Sequence, residues 1–510
     1  MSENRTDVLI AGAGPNGLML ACELALAGIS PVVVERLPGP SGEPRANGLV
    51  GSVSRVLDMR GLYTEFGGPA EGPKPLPYYI FSGMAFDMTG MDAGPMAALL
   101  IPQPELVVKL LARATELGVQ VRWSHELTGF TRDDNRVRVE LDGPEGPVVI
   151  HTRYLIGADG GKSAVRKLAD IEFPGSTAEG TVTRFGHTDV PAAWLTPDGG
   201  IEIPGAGRFR FGHNRVERGM FVFAELPSGT MMAIQEFDAA ATVVDEDAPM
   251  TLAELREAAE RVLGAEVPLQ PPTGPGPHAL RRLVGQNTRV ARHYRDGRIF
   301  LIGDAAHVHS AIGGPGLNLG LQDAVNLGWK LAAHLNGWAP ADLLDTYHAE
   351  RHPVAERTAM HSLAQSGLML PGPETAGVRA LFGELLAYPQ VAAHIANLLA
   401  GTDRPYDTGD NHPLSGRLVP DFRLGDGRRV AELLRTARPV LLVTDTVADL
   451  AAGWPDRIEV ITATGAPAPA MLIRPDGYVA WAADTLPAAD DPTLRAALTR
   501  WFGPANSLVA

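Results

Sequence analysis

The 510-residue sequence carries a single cysteine, Cys22, which excludes intrachain disulfides and cysteine-rich metal sites. No apolar run approaches the roughly 18 residues that a membrane span needs. Basic residues are in deficit, 44 Lys and Arg against 59 Asp and Glu, and the net charge of −15 speaks against a nucleic-acid partner, which requires a basic face. No carboxylate cluster with metal spacing and no Ser-His-Asp arrangement stands out, so neither a metal centre nor a nucleophilic triad is expected. The opening Met1-Ser-Glu-Asn-Arg-Thr-Asp7 is polar and unlike a signal peptide, and a cytoplasmic location is expected. The apolar share of 45% and charged share of 20% are those of a globular protein. The length exceeds what one core organises and predicts two to four domains.

Against these absences, two segments almost 290 residues apart stand out. The first is Val8-Leu-Ile-Ala-Gly-Ala-Gly-Pro-Asn-Gly17, a strand running into a Gly-x-Gly-x-x-Gly turn and a helix. Gly12 permits the tight turn, Gly14 lets the backbone approach a pyrophosphate, and Gly17 allows close helix–strand packing. The helix N-terminus offers free N–H groups to an anion. Glu35 closes the next strand, Pro31-Val-Val-Val-Glu35, where a carboxylate accepts ribose hydroxyls. Cys22 falls on the apolar face of the helix Asn16–Ala27, so core packing is its expected role.

The second segment, Arg298-Ile-Phe-Leu-Ile-Gly-Asp-Ala-Ala-His307, reads as a buried strand ending on Gly303-Asp304. A carboxylate at the end of such a strand needs donors; ribityl hydroxyls supply them, and a plain helix cap is the other reading. Downstream, Gly313-Gly-Pro-Gly-Leu-Asn318 enters a helix whose N–H groups suit the pyrimidine edge of a flavin. The two segments together suit a long dinucleotide such as FAD, held at both ends. Asp159-Gly160, after the strand Tyr154–Gly157, is a third acid–glycine turn. A helix-capping turn with Ser163 and a cofactor contact explain it equally well.

The expected fold class is α/β: a Rossmann-like FAD-binding domain with an inserted antiparallel-sheet substrate domain and a C-terminal domain. The spacing predicts a helix from about Pro104 to Leu117, then strands Val119–Trp123, Val137–Leu141, Val148–His151 and Tyr154–Gly157. The expected domains are 1–174 and 281–400 for the cofactor, 175–280 for the antiparallel sheet, and 411–510 for the tail, after a Pro/Gly-rich link at 401–420. Segments such as Met220-Phe-Val-Phe-Ala and Met231-Met-Ala-Ile-Gln-Glu-Phe237 supply the strands of the inserted sheet.

The three motifs together resemble the FAD-dependent aromatic hydroxylases typified by p-hydroxybenzoate hydroxylase, over about residues 1–400. Within that class the chain is similar to actinobacterial aromatic-polyketide hydroxylases and to rifampicin monooxygenases, on Gly316-Leu-Asn-Leu-Gly-Leu-Gln-Asp-Ala-Val-Asn-Leu-Gly-Trp-Lys-Leu331 and Tyr347-His-Ala-Glu-Arg-His-Pro353. The tail resembles that subgroup's thioredoxin-like domain, without cysteine and therefore without thiol chemistry. The resemblance implies FAD held by Gly12, Ala13, Gly14, Pro15, Asn16, Gly17, Glu35, Arg36, Gln103, Leu127, Asp159, Gly160, Gly303 and Asp304. It places Pro315, Gly316, Leu317 and Asn318 at the flavin ring and Arg45 beside the mobile flavin.

The implied cycle consumes NADPH or NADH and O2 through a flavin C4a-hydroperoxide that hydroxylates a polycyclic aromatic substrate. No catalytic base is assignable, and Arg45 is the one catalytic candidate. His307 and His309 read as polar turn residues. Phe211, Phe221, Phe223 and Phe237, with Gln235, are candidates for the substrate wall, although sheet-core packing explains the same phenylalanines. The chain departs from the family where His307-Val-His-Ser-Ala-Ile-Gly313 and Pro315 replace the usual His-x-x-Pro-Pro-x-Gly and Gln or Lys, so the pocket's shape does not carry over. Baeyer–Villiger insertion, antibiotic inactivation and a non-catalytic flavin-binding scaffold remain alternatives, and both monomer and homodimer fit.

Overall fold

Val8, Leu9 and Ile10 are wholly buried, as befits a strand covered on both faces. In the computed structural model, which describes residues 5–43, 45–91, 96–226, 229–237, 248–274, 276, 278–310, 312 and 314–506, they lie in the strand Arg5–Ala11. This strand runs parallel to Val32–Glu35 on one side and Gly146–Gly157 on the other. Gln120–Trp123 and Ile299–Leu301 extend the parallel array outward. The chain thus leaves Arg5–Ala11 in one direction through helix α1 (Pro15–Leu26) and later returns to its other side. At such a switch point the loops at the carboxyl ends of the strands part, which is where open α/β sheets place a crevice.

Helix α1 starts on Pro15, whose fixed φ suits a first turn, and packs against α4 (Pro315–Leu335) and α2 (Gln103–Glu116). Cys22 is buried there, and burial pushes its thiol up to about 12. The two strands expected at 148–151 and 154–157 are one, Gly146–Gly157, because the intervening Thr152 stays in register against Val137 and Thr6.

The inserted sheet has five antiparallel strands, in the order Gly212–Val216, Gly219–Leu226, Gly229–Glu236, Val182–His187 and Leu280–Val284. The domain boundary expected at 280/281 therefore cuts through an edge strand, which belongs to this sheet. A separate short strand, Gly207–Phe209, pairs with Ile201–Ile203. Helix α3 (Leu252–Leu263) covers one face of the five-stranded sheet. The opposite face turns toward Ile312 and Met369, the latter ending helix α5 (Asp345–Met369).

The tail forms a mixed four-stranded sheet: Val440–Val443 pairs parallel with Glu459–Thr462 and antiparallel with Ala470–Ile473, which Val479–Ala483 continues. Trp329 and Ala333 of α4 share a buried cluster with Trp481, Trp501 and Phe502, so this sheet packs directly on the cofactor domain. No helix among the described residues is long and apolar enough to cross a membrane.

Candidate active site

The glycine turn is built from close approaches. Gly12 has φ +113°, and a Cβ there would lie 2.4 Å from the Ala158 carbonyl oxygen; at Gly17 it would lie 2.1 Å from the Gly12 carbonyl oxygen. Gly14 differs, since a Cβ would meet nothing within 4 Å. Its extended backbone leaves open space at the start of α1, where no side chain caps the helix. Glu35 is drawn in from the neighbouring strand: its carboxylate accepts the N–H of Ala13 at 2.9 Å and of Leu37 at 3.0 Å. Asn16 presses against Gly303, where a Cβ would sit 2.0 Å from its amide nitrogen, and its Oδ1 is buried without a partner.

The Asp159 turn enters the same crevice, through the N–H of Ala158 donated to Ala11. Asp159 Oδ2 accepts the N–H groups of Ala164 (2.7 Å) and Val165 (3.1 Å), while Ser163 accepts from Arg166. The capping reading is therefore correct, yet Asp159 Oδ1 is buried with no partner and stays available. Arg166, which sequence reasoning passed over, joins this turn to the next by donating to the carbonyls of Gly161 and Ala305, both at 2.8 Å.

Gly303 (φ +58°) and Asp304 follow the strand Ile299–Leu301 in a 3-10 turn. Asp304 is exposed to solvent, yet protein surrounds it closely enough that burial holds its carboxyl above the usual range, against the pull of His307 and Arg45. This is the environment of a carboxylate at the bottom of an open cleft. The N-terminus of α4 is directed at it: a Cβ on Gly316 would lie 3.6 Å from Asp304 Oδ1. Asn318 anchors that terminus, accepting the N–H of Val50 at 2.9 Å and donating to the Gly314 carbonyl at 2.7 Å. Pro315 and Leu317 are half-buried beside it; Ala311 and Gly313 lie outside the described residues.

The remaining candidates are less tightly placed. Arg45 is exposed and bonds Glu43 at 2.9 Å, and Glu43 also pairs with Arg281 of the inserted sheet at 3.2 Å. Gln103 opens α2 and donates its backbone N–H to the Ala46 carbonyl at 2.8 Å, which ties the Arg45 loop to that helix. Leu127 is half-buried against the main core, and Arg36 is exposed.

The proposed substrate wall needs correction. Phe221 and Phe223 are wholly buried under α3, on the face away from the crevice, and Phe211 is exposed beyond the end of its strand. Alternation in the strand places Met220 and Val222 on the crevice side instead, with Ala233, Phe185 and Phe237. Gln235 shares the Ala233 parity and is buried. Asn47 donates to Met231 Sδ at 3.5 Å and so brings the Arg45 loop against this sheet.

His307 is also more than a turn residue, since its Nε2 meets Asp323 at 2.7 Å in the interior. His309 stacks on it with ring centroids 5.2 Å apart, and burial drives its imidazole well below its ordinary range. Among the described residues no group of three His, Cys, Asp or Glu side chains could hold a metal ion.

An open glycine at a helix N-terminus, unpartnered oxygens on Asn16 and Asp159, and a half-desolvated Asp304 fit a long dinucleotide better than a mononucleotide. The chain belongs to the FAD-dependent aromatic-ring hydroxylases, a class of flavin monooxygenases: the FAD binding domain family matches residues 5–362, and the aromatic-ring hydroxylase C-terminal family matches residues 412–505. It is 40% identical to a 12-dehydrotetracycline 5-monooxygenase/anhydrotetracycline 6-monooxygenase of Streptomyces rimosus, covering 98% of this chain and 99% of the relative. It is 35% identical to a rifampicin monooxygenase of Streptomyces venezuelae (98% and 99% covered) and to a dialkyldecalin synthase of Streptomyces rugosporus (98% and 99%). The structure of an anhydrotetracycline hydroxylase from Streptomyces rimosus superposes with a TM-score of 0.84 at 39% identity, over 98% of this chain and 100% of that one.

Proposed function

We propose that the chain uses FAD, NAD(P)H and O2 to hydroxylate a polycyclic aromatic, polyketide-type substrate. The observation that carries this reading is the meeting of three turns, Gly12–Gly17, Asp159–Gly160 and Gly303–Asp304, with the α4 N-terminus at one switch point, opposite an apolar sheet face. In this reading the first turn and the α1 N-terminus hold the pyrophosphate, and Glu35 with Arg36 holds the adenosine ribose. Asp304 holds the ribityl chain, together with Gln103, and Leu127 lines the adenosine side. Asp159 and Gly160 border both FAD and NAD(P)H. FAD, when bound, supplies the hydride acceptor and the means of activating O2.

The protein's own task is positional. With FAD bound, the N–H groups at Gly316, Leu317 and Asn318 would stabilise the ring edge that gains negative charge on reduction. Phe185, Val222, Ala233 and Phe237 hold the aromatic substrate and keep water out. The C-terminal sheet is read as a thioredoxin-like scaffold without redox chemistry, since the only cysteine is Cys22, and the protein as cytoplasmic.

A second reading is favoured by one relative, which is named a dialkyldecalin synthase and not a monooxygenase. Anaerobic addition of NADPH or NADH to the FAD-loaded protein separates the two. Bleaching of the flavin, faster with an aromatic ligand present, supports the monooxygenase; a flavin that stays oxidised supports the synthase.

A further inference from the structure

Asp323 lies on α4 and is wholly buried. Its two carboxylate oxygens are nonetheless fully used. Oδ2 accepts the N–H of Gly303 at 3.2 Å and the Nε2–H of His307 at 2.7 Å; Oδ1 accepts Arg351 Nε at 2.8 Å. Gly303 and His307 are the first and last residues of the turn that presents Asp304. One side chain therefore grips both ends of that turn from behind. The grip is itself held rigid: Arg351, on α5, also donates to the Leu319 carbonyl at 3.1 Å and to the Tyr406 hydroxyl at 2.9 Å. Burial alone would raise the Asp323 carboxyl, but Arg351 and His307 outweigh it and hold the group below its ordinary value, so it stays an acceptor.

We infer that Asp323 is a positioning residue of the cofactor site: by clamping Gly303 and His307 it sets where the Asp304 carboxylate points, and so governs FAD affinity through Asp304. The inference rests on the reading of Asp304 as a ribityl ligand. Groups that orient a ligand from behind commonly matter about ten- to a hundredfold in affinity, as second-layer partners do at metal sites.

The test is a double-mutant cycle on FAD dissociation constants, measured by quenching of flavin fluorescence, with apoprotein melting temperatures taken in parallel. Asp304→Asn and Asp323→Asn are each expected to weaken FAD by about tenfold or more, and the double variant to be no weaker than Asp304→Asn within about twofold. His307→Gln, which removes one handle and leaves the Arg351 pair intact, gives the same cycle if Asp323→Asn does not fold. Losses that add in the double variant, or a lowered melting temperature with unchanged FAD affinity, would overturn the inference. Wild-type affinity in Asp304→Asn alone would instead remove the ribityl reading on which it stands.

Discussion

Arg474, directly after the strand Ala470–Ile473 of the C-terminal sheet, places two guanidinium nitrogens on Glu350 of helix α5, at 2.6 and 2.8 Å, with both side chains buried. Lys330 adds a third bond to Glu350 at 2.8 Å, and Asp476 balances Arg474 from the tail side. Trp329 and Trp501 border the guanidinium, whose centre lies 5.3 and 4.5 Å from their rings. A buried charge of this kind survives only with its partners, so the cofactor domain and the tail are expected to unfold together.

Glu350→Gln should then cost about 3–5 kcal/mol, the usual loss when one partner of a buried pair is removed. Denaturant unfolding, followed by a probe in each domain, should show one transition at a lower midpoint. Two separated transitions in the wild type would contradict the coupling.

The same pair predicts a pH dependence. Burial works against the Glu350 carboxylate, but Arg474 and Lys330 bring it from 4.5 down to about 2 in the folded chain. A depressed acid stabilises above its unfolded value and loses that contribution as the pH falls toward the folded one. Wild-type stability should therefore drop between about pH 4.5 and about 2 more steeply than that of Glu350→Gln. Parallel curves would refute the assignment.

Gly14→Ala tests the open space at the start of α1. Since a Cβ there meets nothing within 4 Å, the apoprotein should melt as the wild type does. FAD binding should weaken by roughly tenfold or more, about 1.4 kcal/mol, because the methyl occupies the approach to the pyrophosphate. Gly17→Ala should instead destabilise the apoprotein itself, as its Cβ would collide with the Gly12 carbonyl. Equal melting temperatures for the two variants would argue against this distinction.

The inserted sheet should separate stability from specificity by strand parity. Phe221→Ala is expected to cost about 3–5 kcal/mol through a core cavity, with substrate preference unchanged in whatever folds. Val222→Ala should alter the ratio of kcat/KM between two aromatic substrates and leave the melting temperature nearly unchanged. The reverse pattern would place the substrate on the α3 face.

The parts of the site legible in the sequence are those whose signal is local. Gly12, Gly14, Gly17 and Glu35 stand in one strand–turn–helix unit, and Asp304 follows directly on its strand, so short-range pattern sufficed. Asp323 did not stand out because its partners, His307 and Arg351, are 16 and 28 residues away, and an acid in a helix reads as a solvated position. For Phe221 and Phe223 the sequence leaves substrate wall and sheet core both open, for another reason. Met220-Phe-Val-Phe-Ala is apolar at both parities, so alternation defines two faces without saying which one α3 covers. The strand at 280–284 crossed the expected boundary because Leu280-Arg-Arg-Leu-Val284 is an edge strand with weak apolar character.

Oxygen transfer to an aromatic ring is read from product mass after turnover of the FAD-loaded protein with NADPH or NADH under ¹⁸O₂, across a panel of polycyclic phenols and naphthacenequinones. Substrate-stimulated NAD(P)H consumption and a hydroxylated product carrying one labelled oxygen are expected. Consumption that no aromatic stimulates, with peroxide as the sole product, or an unlabelled rearranged product, would contradict it.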